Sequence, residues 1–172
     1  MNASPEFSRP VDIREVDARP LEIAAGEAER AALAARFELV KIDRLEAEVA
    51  LERNGDAVNA TGTLEADIVQ TCAVSAEDLP VSIREPLSFR FVPESAAHSP
   101  DEEIELDANE LDEIEYTGTS FDLGEAIAQS LALAIDPFAT GEGAEEARRR
   151  SGIVTPEDAG PFAALRQLKP KD

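Results

Sequence analysis

Alternating apolar and polar residues dominate the middle of the chain and predict two long strands. From residue 45 to 51 the odd positions are apolar, and the charged residues Arg44, Glu46, Glu48 and Glu52 alternate with them. This period of two is typical of a strand with one buried and one solvated face. The Asn54-Gly55 pair that follows tolerates the positive φ angles of a tight hairpin turn. We therefore predict antiparallel strands near residues 39–53 and 57–72.

The parity of the apolar residues carries further information along this hairpin. The same parity places Cys72 on the buried side, because the apolar residues of the second strand occupy even positions: Val58, Ala60, Leu64, Ala66 and Ile68. In the first strand the apolar residues change from even to odd positions near residue 43. That change predicts a β-bulge at Asp43 and Arg44.

Two more strands are predicted after the hairpin, near residues 80–92 and 113–118. Pro86 lies on the outward side of the first of them, and proline cannot donate a hydrogen bond to a β-ladder. We therefore expect this strand at a sheet edge, or bulged at the proline. The acidic stretch from Pro93 to Glu113 is interpreted as a connector.

Two helices are predicted outside the strand region. The first, near residues 26–37, is indicated by its content of Ala, Glu and Arg. The second, near residues 122–136, begins with Asp122 and Glu125 in the pattern of a capping box. It should end before Pro137. The predicted apolar faces hold Ala28, Ala31, Ala32, Leu33 and Ala35 in the first helix, and Leu123, Ile127, Leu131 and Ile135 in the second.

Together these elements predict an α+β fold, with an antiparallel bent β-sheet or partial barrel covered by the two helices. The first ten residues are expected to form an extended arm. Formal charge divides the chain, with a balance of −22 over residues 1–143 and +1 over residues 144–172. We predict an acidic β-rich core domain at 1–143, and a linker with an extended C-terminal tail at 144–172.

The net charge of −21 narrows the class of partner. Affinity for nucleic acid comes largely from Lys and Arg, which displace the counterions condensed on phosphates. A chain this acidic therefore favours a basic protein as its partner over RNA or DNA. No apolar run approaches the roughly 20 residues needed to cross a bilayer, and the first ten residues lack the pattern of a secretory signal. The expected compartment is the cytoplasm, with no membrane partner.

Candidate catalytic groups are few. Cys72 and His98 are the single cysteine and the single histidine, and a buried, inert cysteine is the preferred interpretation. Zinc sites usually need four Cys or His ligands, or three plus water. The carboxylates at residues 101–107 lack the spacing of a calcium loop, and no phosphate-binding glycine motif occurs. We predict no catalytic residue, cofactor or metal ligand. Arg148–Arg150 can contact phosphate, but a helix with surface ion pairs to Glu145 and Glu146 is favoured.

Four ordered pieces of sequence resemble the YceD family of large ribosomal RNA subunit accumulation proteins, in its alphaproteobacterial form. They are NGDA at Asn54–Ala57, VQTC at Val69–Cys72, the helix FDLGEAIAQSLALAIDP and the terminal GPFAALRQLK. The resemblance extends from Phe7 to Lys169. It implies a factor for normal accumulation of large-subunit ribosomal RNA, with no established catalytic activity. Many family members carry a CxxC pair where this chain has Val69 and Cys72, so a metal or redox role of that pair is not carried over.

The leading hypothesis is a non-enzymatic ribosome-biogenesis factor that binds a basic ribosomal or ribosome-assembly protein. Direct RNA contact is expected only through the near-neutral tail. Alternatives are a small metal-dependent or hydrolytic enzyme, and an acidic mimic of nucleic acid. The candidate partner-binding residues form a short apolar anchor with flanking basic groups: Phe162, Leu165, Arg166, Leu168 and Lys169.

Deleting residues 161–172 should abolish partner binding, because it removes this anchor. A pull-down that compares the full chain with the truncated one measures the effect. Equal recovery of partner by the two chains would show that the contact lies elsewhere.

Overall fold

The computed structural model describes residues 6–17, 19–94 and 112–152. These residues fall into two compact units, the first drawn from Met1–Gln70 and Pro80–Asp136, the second from Thr71–Leu79 and Pro137–Asp172. In chain order the elements are β1 (Pro10–Asp12), β2 (Leu21–Ala24), α1 (Glu27–Arg36), β3 (Lys41–Asn54), β4 (Ala57–Thr71), β5 (Asp78–Pro93), β6 (Asp112–Tyr116), β7 (Ser120–Asp122), α2 (Leu123–Ala134) and α3 (Ala144–Arg150).

The strands form a five-stranded sheet in the order β2-β3-β4-β5-β6 and a two-stranded sheet of β1 and β7. The α+β class is confirmed, and the described strands do not close into a barrel. The sheet is not wholly antiparallel, because β6 pairs in parallel with β5. Parallel neighbours need a crossover connection of a dozen residues or more, and the chain between Pro93 and Asp112 is long enough for one.

The β3–β4 hairpin has the predicted register. Asn54 pairs with Ala57 across the turn, where Gly55 has a φ angle of +68°. The pairing is irregular between Ile42 and Arg44, which confirms the predicted bulge. The residues predicted to face inward are buried, and they form the sheet's contribution to the core: Leu45, Ala47, Val49, Leu51, Val58, Ala60, Leu64, Ala66 and Ile68.

The core of the first unit lies between the inner face of this sheet and residues from α1 and α2. Leu33 of α1 is fully buried in it, and the ring of Phe91 stacks on that of Phe121 at 4.1 Å between centroids. Each such side chain contributes roughly 1.5–3 kcal/mol by leaving water. The stripe predicted for α2 is confirmed for Leu123, Ile127 and Leu131, which are fully buried, whereas Ile135 follows the end of the helix and is half-buried.

The segment before β1 is part of this core, so the prediction of an extended arm is wrong for its described residues. Phe7 is 1% exposed, and β1 pairs antiparallel with β7. The backbone N–H of Arg9 donates to the Asp122 carboxylate at 2.8 Å. That carboxylate also accepts from the backbone N–H of Glu125 at 3.1 Å and so caps α2. A single aspartate therefore joins the N-terminal segment to a helix whose sequence lies more than a hundred residues away.

The apolar face predicted for α1 is wrong in part. Leu33 and Ala34 are buried, whereas Ala28, Ala31 and Ala35 are exposed. An alanine buries too little apolar surface to decide which side of a helix faces inward, so the larger Leu33 decides it.

The prediction of an edge position for β5 is also wrong, because β5 lies between β4 and β6. Pro86 is exposed and precedes the residues Phe89–Pro93 that pair with β6. The strand therefore accommodates its proline outside the stretch in which β6 needs N–H donors.

In the second unit, the linker predicted from residue 144 onward is wrong for Ala144–Arg150, which form α3. The favoured interpretation of Arg148–Arg150, a helix with surface ion pairs, is confirmed, since Arg148 pairs with Glu145 at 2.9 Å and Arg150 with Glu146 at 3.6 Å. Ion pairs one helical turn apart support a helix that periodicity alone does not reveal. Residues 153–172, with the predicted apolar anchor, lie outside the described residues.

Gly62 of β4 should tolerate no side chain. A Cβ atom at this position would overlap the backbone oxygen of Glu48 and lie 2.9 Å from the Cα of Val49. Gly62→Ala should therefore lower the free energy of unfolding by about 1–3 kcal/mol, measured by urea denaturation. The exposed neighbour Thr61→Ala is the control and should change it by less than about 0.5 kcal/mol. Equal stability of Gly62→Ala and the parent would contradict this close approach of the two strands.

Candidate functional site

The outward side of the sheet in the first unit carries a concentration of charged side chains. On β3 and β4 these residues alternate with the buried ones, and they are exposed or half-buried. Acidic residues outnumber basic ones among them. We call the following set the acidic face: Glu22, Glu46, Glu48, Glu52, Glu65 and Asp67, together with Arg44 and Arg84.

Strand register brings carboxylates directly opposite each other on this face. Glu22 pairs with Glu48 across β2 and β3, and Glu46 pairs with Glu65 across β3 and β4. Side chains at directly opposite positions have Cβ atoms about 4.5–5.5 Å apart, and like charges there are destabilising. The sheet therefore holds two neighbouring pairs of like charges. Each pair creates a negative potential unless a basic side chain neutralises it.

At one end of the face, Arg44 neutralises the second pair. Its guanidinium lies 2.8 Å from Asp67, 3.0 Å from Glu65 and 3.3 Å from Glu46. These hydrogen bonds, that to Asp67 foremost, raise the pKa of Arg44. The same contact, together with the Ser82 hydroxyl that donates to Asp67 at 2.7 Å, lowers the pKa of Asp67. Arg84 adds a contact to Glu65 at 3.3 Å.

The other end of the face lacks such compensation. Within the described part of the chain, neither Glu22 nor Glu48 has an ion-pair partner, and both are exposed. The acidic face is therefore polarised, with a compensated end at Arg44 and an uncompensated end at Glu22 and Glu48. Because both carboxylates are exposed, a cation from solution can reach them.

An open groove of about 750 Å³ runs along this face. Its floor includes outward residues with small side chains, and the longer glutamates and Arg84 stand around them. Small floor residues leave space above the sheet that larger outward side chains would fill. The outward floor residues are Ala24, Ala50, Thr61 and Thr63.

Sequence reasoning found only part of this surface. The alternation in β3 and β4 predicted that Glu46 and Glu48 face outward. It did not predict β2, because a strand of four residues is too short for a periodic signal. The pairing of Glu22 with Glu48 therefore became visible only in the tertiary structure.

The second unit holds the chain's cysteine. Cys72 is 3% exposed, which confirms the predicted burial. Its Sγ accepts from the backbone N–H groups of Ser75 and Gly141, each at 3.4 Å. The Ser75 hydroxyl, followed by these backbone donors, lowers the pKa of the thiol to about 6. The sequence did not predict this lowered pKa. Of the two residues that donate to Sγ, only Ser75 is close to Cys72 in the chain, and Gly141 is distant.

The geometry supplies a buried thiol of lowered pKa, with no general base beside it among the described residues. His98 lies outside the described residues, as do the carboxylates at 101–107 and the five candidate residues of the C-terminal anchor. Within the described residues no group of three or more His, Cys, Asp or Glu side chains comes together as a metal site. No helix in that part of the chain has both the length and the hydrophobicity to span a bilayer.

The Cys72 thiol should titrate near pH 6, measured by the ultraviolet absorbance of the thiolate in the native protein. Ser75→Ala should move this titration upward, toward the ordinary cysteine value of about 8.5, because the largest stabilising hydrogen bond is lost. Ser82→Ala, which leaves the surroundings of the thiol unchanged, is the matched control. A parent protein that titrates near the ordinary value would contradict the hydrogen bonding described for Sγ.

Comparison with models of known protein families gives a match. Residues 60–169, well over half of its length, match the family described as "Large ribosomal RNA subunit accumulation protein YceD". The matched segment begins within β4 and includes Cys72 and α2, whereas Glu22 and Glu48 precede it. Comparison with curated proteins and with solved structures yields no match. The chain belongs to the YceD family of large ribosomal RNA subunit accumulation proteins.

Proposed function

We propose that this protein supports the accumulation of large-subunit ribosomal RNA as a non-enzymatic binding protein, through contact with a basic ribosomal or ribosome-assembly protein. The observation that carries the proposal is the acidic face. It presents a groove of about 750 Å³ and an uncompensated pair of carboxylates, Glu22 and Glu48, on a sheet surface whose outward side chains reach water.

Electrostatics supports a protein as the partner. The formal charge of the whole chain is −21, so a phosphate backbone is repelled over most of its surface. The same negative potential attracts a basic protein, which accelerates the encounter of the two proteins and disfavours acidic competitors. Chains that bind ribosomal RNA must be rich in Lys and Arg for the same reason, and they therefore match the acidic face in charge.

The near-neutral tail has a separate role in this proposal. Phe162, Leu165 and Leu168 supply an apolar anchor, while Arg166 and Lys169 supply cations that can contact phosphate. The protein thus binds its basic partner through the acidic body together with this anchor, and direct RNA contact is confined to the tail. We place this activity in the cytoplasm, where the partners are made and assembled.

A pull-down from lysate with the tagged full-length chain tests the proposal. At low salt, large-subunit proteins or assembly factors should be recovered. At high salt they should be lost, because the Debye length falls from about 10 Å at 0.1 M to about 3 Å at 1 M ionic strength. Gradient profiling of the same lysate should place the protein with large-subunit precursors.

A tagged, unrelated protein of similar net charge is the control for unspecific capture of basic proteins. Recovery of no ribosomal component at either salt concentration contradicts the proposal. Partner binding that RNA displaces competitively would instead indicate a mimic of nucleic acid.

A further inference from the structure

We propose that the basic partner docks at the uncompensated end of the acidic face, where Glu22 and Glu48 together receive an arginine or lysine side chain. This inference rests on the proposed function and names its contact surface. It commits to one occupant, a cationic segment of a basic protein laid across β2 and β3.

Charge complementarity differs sharply between the two ends of the face. At the compensated end, Arg44 and Arg84 already contact Glu65, and Arg44 also contacts Glu46 and Asp67. A cation arriving there must displace or share an existing guanidinium. At the uncompensated end a cation meets two carboxylates that have no ion-pair partner among the described residues.

Binding at this end also removes a cost that the free protein carries. Glu22 and Glu48 are directly opposite on neighbouring strands, where like charges repel. A guanidinium or ammonium between them replaces this repulsion with two attractions. The arginine fork is well suited, because its donors can bind two carboxylates at once.

The groove provides room for the rest of the cationic side chain. Ala24 pairs with Glu46 and Ala50 with Thr61, so small outward side chains flank the acidic pair on both strands. The aliphatic part of an arginine or lysine can lie over these methyl groups while its charged end reaches the carboxylates.

The free edge of β2 is a poorer docking site than the face. β2 has four residues and follows Pro20, which has no N–H to donate. The guanidinium of Arg9 already donates to the backbone oxygen of Ala24 at 3.0 Å. Pairing of a partner strand with this edge would therefore be short and would compete with Arg9, so the partner must be recognised through side chains on the face.

Two double variants test the inference. Glu22→Gln with Glu48→Gln, and Glu46→Gln with Glu65→Gln, each remove two negative charges from the same face. The probe is a short synthetic peptide of alternating arginine and alanine, with affinity measured by fluorescence anisotropy at constant ionic strength. The first variant should lose about tenfold in affinity, and the second clearly less, since Arg44 already occupies its carboxylates.

The possible results distinguish a failure of the docking site from a failure of the proposed function. Equal losses in the two variants, or a parent that does not bind the peptide, would overturn the docking site. In either case recovery of ribosomal proteins by the parent in the lysate would leave the proposed function standing. Thermal unfolding controls for misfolding, and the first variant should unfold no earlier than the parent because its like-charge repulsion is gone.

Discussion

The register of the β3–β4 hairpin is the constraint on which the first unit depends. Side chains alternate across the sheet, so a slip of one residue would bring Glu46 and Glu48 into the core and put Val49 into water. The Asn54-Gly55 turn fixes one end of the register, and the irregularity between Ile42 and Arg44 resets it near the other. Burial of the inner face and acidity of the outer face are thus two results of a single alignment.

The two faces of the sheet have different roles. The inner face stabilises the fold, because its residues pack with those of α1, α2 and Phe7 in one core. The outer face carries carboxylates that contribute little or negatively to stability, since exposed ion pairs contribute no more than about 1 kcal/mol and like charges repel. Arg44 relieves this repulsion at one end only. The uneven charge of the face follows from the positions of Arg44 and Arg84, which both lie at that end.

The family assignment and the acidic pair concern different parts of the chain. The match to the YceD family spans residues 60–169, whereas Glu22 and Glu48 belong to β2 and β3. Cys72 lies inside the matched segment, in the second unit, where backbone N–H groups stabilise its thiolate. Hydrogen bonds from the Ser75 hydroxyl, and then from backbone N–H groups, are thus sufficient to lower the pKa of this thiol.

The sequence by itself determined the hairpin, the bulge, the buried parity of Cys72 and the apolar stripe of α2, because each depends on residues close in the chain. Its net charge of −21 also predicts a basic partner. Only the tertiary structure decided the place of Phe7 in the core, the parallel pairing of β6 and the position of Glu22 opposite Glu48. These features join segments far apart in sequence, and short strands such as β2 carry too few residues for a period to reveal which segments meet.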